Sequence, residues 1–157
     1  MLKLVITNLK FKVGGLSMKI LVFGAGVLGC NLARDLFKAK KDVTIFARGK
    51  WADEIKSNGL RIKDKFKPRM SVSHIPVITE LVPDEQYDVI FITLRYTQLE
   101  SILDILRSNI TKNIVFVGNN VHAKDLSEKL PEKNVLFALS LSPFLLSPPT
   151  YHIGLLA

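Results

Sequence analysis

The chain has 157 residues, enough for one domain with a sizeable core. Apolar residues make up 48% and charged residues 23%, which excludes an intrinsically disordered chain, and a single cysteine excludes an intramolecular disulfide framework. The net charge is +8, but the cations are scattered among acids and no basic stretch is interleaved with aromatics. The charge therefore argues for solvated faces and a phosphate-rich ligand rather than for nucleic acid.

Residues 1–17 lack the long apolar core and small-residue cleavage site of a signal peptide, so the chain reads as cytoplasmic. Two readings of this segment stand side by side. It is an extra edge strand, or it is translated leader, since Gly14-Gly15 can be encoded by a purine-rich ribosome-binding sequence just ahead of Met18. The first complete element follows Met18: Lys19 to Phe23 is an apolar, β-branched run that predicts a buried strand. Gly24-Ala25-Gly26-Val27-Leu28-Gly29 comes next, and Cys30 to Lys38 carries apolar residues at helical spacing. A G-x-G-x-x-G alone is weak evidence. Between a strand and a helix it is the dinucleotide-binding fingerprint. Gly24 permits the sharp turn, Gly26 lets backbone approach a pyrophosphate, and Gly29 lets the helix pack closely on the sheet. The phosphates would face free N–H groups and the positive end of the helix dipole. The competing reading is a glycine-rich turn that holds no ligand. Cys30, next to the last glycine, is expected simply to pack against the sheet.

Asp42 to Ala47 predicts the second strand. An NAD-specific site places an Asp or Glu at its end to accept the ribose hydroxyls. This strand ends Ala47-Arg48-Gly49-Lys50 instead. Arg48 falls about twenty residues past the glycines, where the selecting residue belongs. A planar guanidinium suits a 2′-phosphate, and Lys50 would add a second charge, so the expected cofactor is NADPH. The alternative is two solvated surface cations.

Trp51 to Gly59 predicts a short helix with a glycine stop. Leu60 to Ile62 and Met70 to His74 alternate and predict a hairpin around the Lys-rich segment 63–69. Tyr87 to Thr93 predicts a buried strand, Gln98 to Leu106 a helix, and Asn113 to Val117 a strand. Ala123 to Leu130 predicts a helix, and Val135 to Leu139 a further buried strand. Residues 134–157 contain no charged side chain, and Pro143, Pro148 and Pro149 interrupt the apolar tail 141–157. No run reaches the roughly twenty apolar residues that span a membrane. The tail reads as a segment that has lost its packing partner or one that was never selected to pack, which favours self-association or poor solubility. His74, His122 and His152 are far apart and expected to be structural or exposed, and no cluster has metal-ligand spacing. Strands alternating with helices imply an α/β fold with a doubly wound, mainly parallel sheet covered on both faces, and ligands bind at the carboxyl ends of such strands.

Three stretches together resemble the ketopantoate reductase family, NADPH-dependent enzymes that reduce 2-dehydropantoate to pantoate in pantothenate biosynthesis. They are Met18 to Gly29; Val43 to Gly49 with Asn58-Gly59-Leu60; and Asp88 to Gln98, with Asn119 following the next strand. The resemblance covers about residues 18–140 and implies a Rossmann-like nucleotide-binding domain. It implies that residues 24–29 (Gly24, Ala25, Gly26, Val27, Leu28 and Gly29) hold the pyrophosphate. Arg48 and Lys50 would hold the 2′-phosphate, with Leu94, Arg95 and Gln98 also on the cofactor. The family has Lys-x-x-Gln after its fourth main strand; here Arg95 takes the lysine position and Gln98 keeps the glutamine. The family often has Gln-Asn-Gly after the next strand; here it is Gly118-Asn119-Asn120, which puts Asn119 and Asn120 on the side of a small-molecule 2-keto acid substrate. Gln98 and Asn119 have a plainer reading as partners of backbone groups at strand ends. Family members carry a second, helical domain with the catalytic lysine and a substrate-binding glutamate, and the expectation is that this chain lacks it. Two functions follow: the cofactor domain of a reductase, either truncated or completed by another chain, or a stand-alone NADP(H)-binding sensor or pseudoenzyme; the partner expected is a complementing chain or a second copy in a homo-oligomer.

Overall fold

The computed structural model describes residues 18–63, 70–118 and 123–138. The expectations for 1–17, for the Lys-rich stretch 64–69, for Asn119, Asn120 and His122, and for 139–157 with His152 lie outside those residues. Strand β1 (Lys19–Phe23) runs into helix α1 (Val27–Lys38), and β2 (Asp42–Phe46) follows. Helix α2 (Gly49–Asn58) leads to β3 (Leu60–Ile62) and β4 (Ser71–Ser73), which form the expected antiparallel hairpin. Gly59, at φ +74°, stops α2 as its position predicts. A two-residue strand β5 (Val77–Ile78) precedes β6 (Val89–Ile92). Helix α3 (Tyr96–Leu99), a 3-10 turn (Glu100–Ile102) and α4 (Leu103–Ser108) then lead to β7 (Asn113–Val117), α5 (Ala123–Lys129) and β8 (Asn134–Ala138).

Six strands form one parallel sheet in the order β5-β2-β1-β6-β7-β8. Alternation decides which face each side chain serves. Ile20, Val22, Val43, Ile45, Val89 and Phe91 turn to one face, against Cys30 and Ala33 of α1 and Ile55 of α2. Leu21, Phe23, Phe46, Ile90, Ile92 and Phe116 turn to the other, against Leu103 and Leu106 of α4 and Leu126 of α5. Each fully buried Leu, Ile or Phe contributes about 1.5–3 kcal/mol, and both faces of the sheet are packed under helices. That is why the strands read as continuous apolar runs rather than alternating ones. This is a doubly wound, Rossmann-like α/β arrangement. The chain runs outward from β1 to β5 on one side and from β6 to β8 on the other. The reversal between β1 and β6 opens a crevice at the carboxyl ends.

Three elements differ from the sequence reading. β5 was not expected, because two residues carry no periodicity. It forms on the edge because Ile45 N–H donates to Pro76 O at 2.9 Å and Ala47 N–H to Ile78 O at 3.0 Å. β8 forms where expected but is not buried: it is the other edge, and Leu136 and Phe137 remain 41% and 36% exposed. The helix expected from Gln98 starts at Tyr96 and is broken by the 3-10 turn.

Candidate dinucleotide-binding site

The glycines of the turn after β1 answer to different constraints. Gly24 has φ +121°, and a Cβ there would stand 2.9 Å from the Leu94 and Thr93 side chains. A Cβ on Gly29 would stand 1.9 Å from the Gly24 carbonyl oxygen, which only hydrogen in place of a side chain permits. Both are therefore required by the fold itself. Gly26 is not: its φ is −77° and a Cβ would meet nothing within 4 Å. The space in front of it is open cleft, so the fold itself places no demand for glycine at position 26. Thr93, at the end of β6, braces the turn. Its hydroxyl lies 3.0 Å from Gly24 O and 3.2 Å from Phe23 O and donates to these carbonyls.

α1 starts inside the fingerprint, at Val27, with Gly26 as N-cap and no side chain capping it. Cys30 N–H makes a helical bond back to Gly26 O at 2.9 Å, leaving the first-turn N–H groups as donors for an anion. Burial pushes the Cys30 thiol up to about 12, and its Sγ lies 3.3 Å from Ala25 O. It is a packing residue, as its sequence position suggests.

A cleft of about 670 Å³ opens at the carboxyl ends of β1, β2, β6 and β7. The turn from Gly24 to Leu28 lines it, with Arg48 after β2, Leu94, Arg95 and Gln98 after β6, and Gly118 after β7. The expected residues Gly24 to Leu28, Arg48, Leu94, Arg95 and Gln98, distant in sequence, thus meet in one place, while Gly29 is not part of the lining. Lys50 does not join them; it is exposed in the first turn of α2 and is not part of the lining. Asn119 and Asn120 lie outside the described residues, directly after Gly118. The sequence reading missed the strand-end residues Phe23, Phe46, Ala47, Thr93 and Val117 and the helical residues Trp51, Ser101 and Ile102, which also line the cleft. Only the strand-end position of the first five could have signalled any of these.

The electrostatics are one-sided. Arg48 is the N-cap of α2 and Arg95 the N-cap of α3. An N-cap normally carries Ser, Thr, Asp or Asn, and a cation there opposes the helix dipole. Local stability does not explain Arg48; an anion in the cleft would. At α3 the Gln98 carboxamide supplies a local cap to the Arg95 N–H. Arg48 lies 5.1 Å from the centroid of the Phe46 ring, and no carboxylate lines the cleft among the described residues. Gln98 is partly committed to structure: its Oε1 accepts Arg95 N–H at 3.2 Å, while its own N–H donates to Arg95 O at 2.9 Å. The reading of Gln98 as a partner of backbone is the one the bonds show, and its carboxamide NH₂ is not engaged by them.

The model of the ketopantoate reductase PanE/ApbA family matches residues 20–152, past the end of the region in which the sequence resemblance was seen. Among solved structures, a D-mandelate dehydrogenase bound to NADH and anilino(oxo)acetate is 25% identical with a TM-score of 0.66, over 76% of this chain and 40% of that one. A putative 2-dehydropantoate 2-reductase from Enterococcus faecalis is 26% identical with a TM-score of 0.61, over 76% and 40%. A probable 2-dehydropantoate 2-reductase from Bacillus subtilis is 25% identical with a TM-score of 0.64, over 78% and 41%. The chain spans about two fifths of the length of these relatives. Among its described residues, no helix is long and apolar enough to cross a membrane. With the fingerprint, the arginine after β2 and the crevice all in place, the chain belongs to the ketopantoate reductase PanE/ApbA family.

Proposed function

We propose that this chain binds NADPH in the β1–β6 crevice and forms the cofactor-holding part of an oxidoreductase acting on a small 2-keto acid such as 2-dehydropantoate. The observation that carries the reading is the convergence of Arg48 with the uncapped N-terminus of α1 on one cleft that no carboxylate lines among the described residues. The α1 N-terminus and Gly26 would hold the pyrophosphate, and Arg48 the 2′-phosphate. Bound NADPH would supply the hydride for reduction of the keto carbon. Leu94 and Ile102 give the cleft an apolar wall that excludes water, and Arg95 offers a cation to a carboxylate or phosphate. Reduction also needs a proton for the alkoxide oxygen. The polar side chains lining the described cleft are Arg48, Trp51, Thr93, Arg95, Gln98 and Ser101, none of which releases a proton near neutral pH. The donor is therefore expected from outside these residues.

Titration of the 157-residue chain with both cofactors tests the reading. NADPH should bind at least tenfold more tightly than NADH, because a bidentate charged contact is worth about 1.5–3 kcal/mol and tenfold needs only about 1.4. Arg48→Ala should remove most of that preference. Equal affinities in the unaltered chain would sink it. In an assay with 2-dehydropantoate and NADPH the same chain should bind cofactor without turnover. A rate of about one per second, ordinary for enzymes, would show that the donor is already present. Reduction restored by adding the rest of a relative in trans separates a reductase part from a sensor.

A further inference from the structure

We propose that Phe46 is a positioning residue for cofactor discrimination: its ring holds the Arg48 guanidinium in place at the cleft, so that a 2′-phosphate meets a cation already ordered. The proposal rests on the reading that Arg48 selects NADPH. Arginine has a long, rotamer-rich side chain, and fixing it on binding costs affinity. A selecting arginine therefore works best when something orders it beforehand. Among the described residues Arg48 has no ion-pair partner. What it has is an aromatic ring, with the guanidinium carbon 5.1 Å from the Phe46 centroid. The negative face of the ring attracts the cation and leaves the guanidinium N–H groups available.

The platform is itself rigid. Phe46 is only 4% exposed, and its ring stacks on Phe23 at 3.9 Å between centroids and 9° between planes. The two residues are register partners on the parallel strands β1 and β2. Gly24 N–H donates to Phe46 O at 3.2 Å. The residue that starts the phosphate turn and the residue beneath Arg48 are thus joined by a backbone bond and, one residue back, by a ring stack. The geometry keeps the two anion-binding centres in a constant relation. Phe46 also lines the cleft, so a role through Arg48 differs from direct contact in sparing ligands that lack a 2′-phosphate.

The test compares Phe46→Leu, Phe46→Tyr and Arg48→Ala in the 157-residue chain, reading dissociation constants for NADPH, NADH, 2′,5′-ADP and ADP by calorimetry. Phe46→Leu should weaken NADPH and 2′,5′-ADP by about three- to tenfold, the size of a cation–π contribution. NADH and ADP should change by less than about twofold on the same scale. Phe46→Tyr, which keeps the π face, should preserve the NADPH/NADH ratio. In the Arg48→Ala background, Phe46→Leu should leave the ratio unchanged. A purely packing role would weaken all four ligands alike, and that result overturns the proposal. So does an unchanged ratio in Phe46→Leu while Arg48→Ala abolishes it. If Arg48→Ala leaves the ratio intact, the NADPH reading itself falls. Should Phe46→Leu not fold, Phe46→3,4,5-trifluorophenylalanine keeps the shape but depletes the π face. It must lower the ratio, or the proposal fails.

Discussion

Gly26 and Gly29 separate what the fold needs from what a ligand needs. At Gly29 a methyl group would collide with the Gly24 carbonyl at 1.9 Å, a backbone contact that no rotamer relieves. Gly29→Ala should therefore lower stability by more than about 2 kcal/mol, in the range of overpacked sites, and abolish cofactor binding. Gly26→Ala places its methyl group in open cleft. Its thermal midpoint should stay within about 1–2 °C of the unaltered chain, since surface substitutions usually stay within about 0.5 kcal/mol. Its NADPH affinity should nevertheless drop at least tenfold. Differential scanning fluorimetry with and without NADPH checks both, and unchanged affinity in Gly26→Ala would remove the pyrophosphate from this turn. The fingerprint was legible because glycine is a strong local signal. Thr93 was not legible, because a threonine hydroxyl becomes a brace only once β6 lies beside β1.

Helices α2 and α3 start on arginines, and the element scale shows the consequence. α2 gives up a stabilising side-chain cap and places a cation at its positive end, whereas at α3 the Gln98 carboxamide oxygen accepts the Arg95 N–H and closes the first turn. Arg48→Asp should reverse both effects at α2. Stability should rise by about 0.5–1.5 kcal/mol from the cap and the dipole together. The carboxylate would also repel a 2′-phosphate and accept ribose hydroxyls, so cofactor preference should invert to NADH. Denaturant titration and parallel binding curves read the two outcomes. A variant that loses stability, or that keeps its NADPH preference, contradicts this account of Arg48. The helices and the inner strands could be read from the sequence because their periods are local. The edges could not. β5 is two residues long, and the exposure of Leu136 and Phe137 depends on β8 standing last in the sheet.

At the scale of the whole molecule, burial of weak acids sets an alkaline limit. Burial pushes the Cys30 thiol from its ordinary 9.0 to about 12. It also raises the Tyr87 phenol, with the neighbouring Glu85 and Asp42 charges adding to the effect. The unfolded chain releases these protons first, so it binds fewer protons than the folded chain above pH 9. Stability is then fully present below pH 9 and is lost progressively as pH rises toward 12. Lys133 works the other way. Burial, and then the Lys112 charge, lower it, so its contribution rises with pH below 10.5 and offsets part of the loss. The folding free energy should be about 1.4 kcal/mol smaller at pH 10 than at pH 8 through Cys30 alone. Cys30→Ala should flatten that decline, whatever its baseline stability. Equal slopes in the two proteins would show that the thiol titrates normally.

Local chemistry in the sequence was enough to determine the strand–turn–helix at residues 19–38, the inner strands and the place of Arg48 just past the end of β2. Those features depend on neighbours a few residues away: glycine where a turn must be sharp, β-branched runs where both faces are covered, and a cation where β2 ends. Tertiary structure alone decided which of these side chains meet. It brought Arg48 to the cleft and left Lys50 outside, set Thr93 against Gly24 across 69 residues of chain, and placed the Arg48 guanidinium over Phe46. Such meetings depend on the order of strands in the sheet, which is set by long-range pairing of both apolar faces and leaves no periodic trace along the chain.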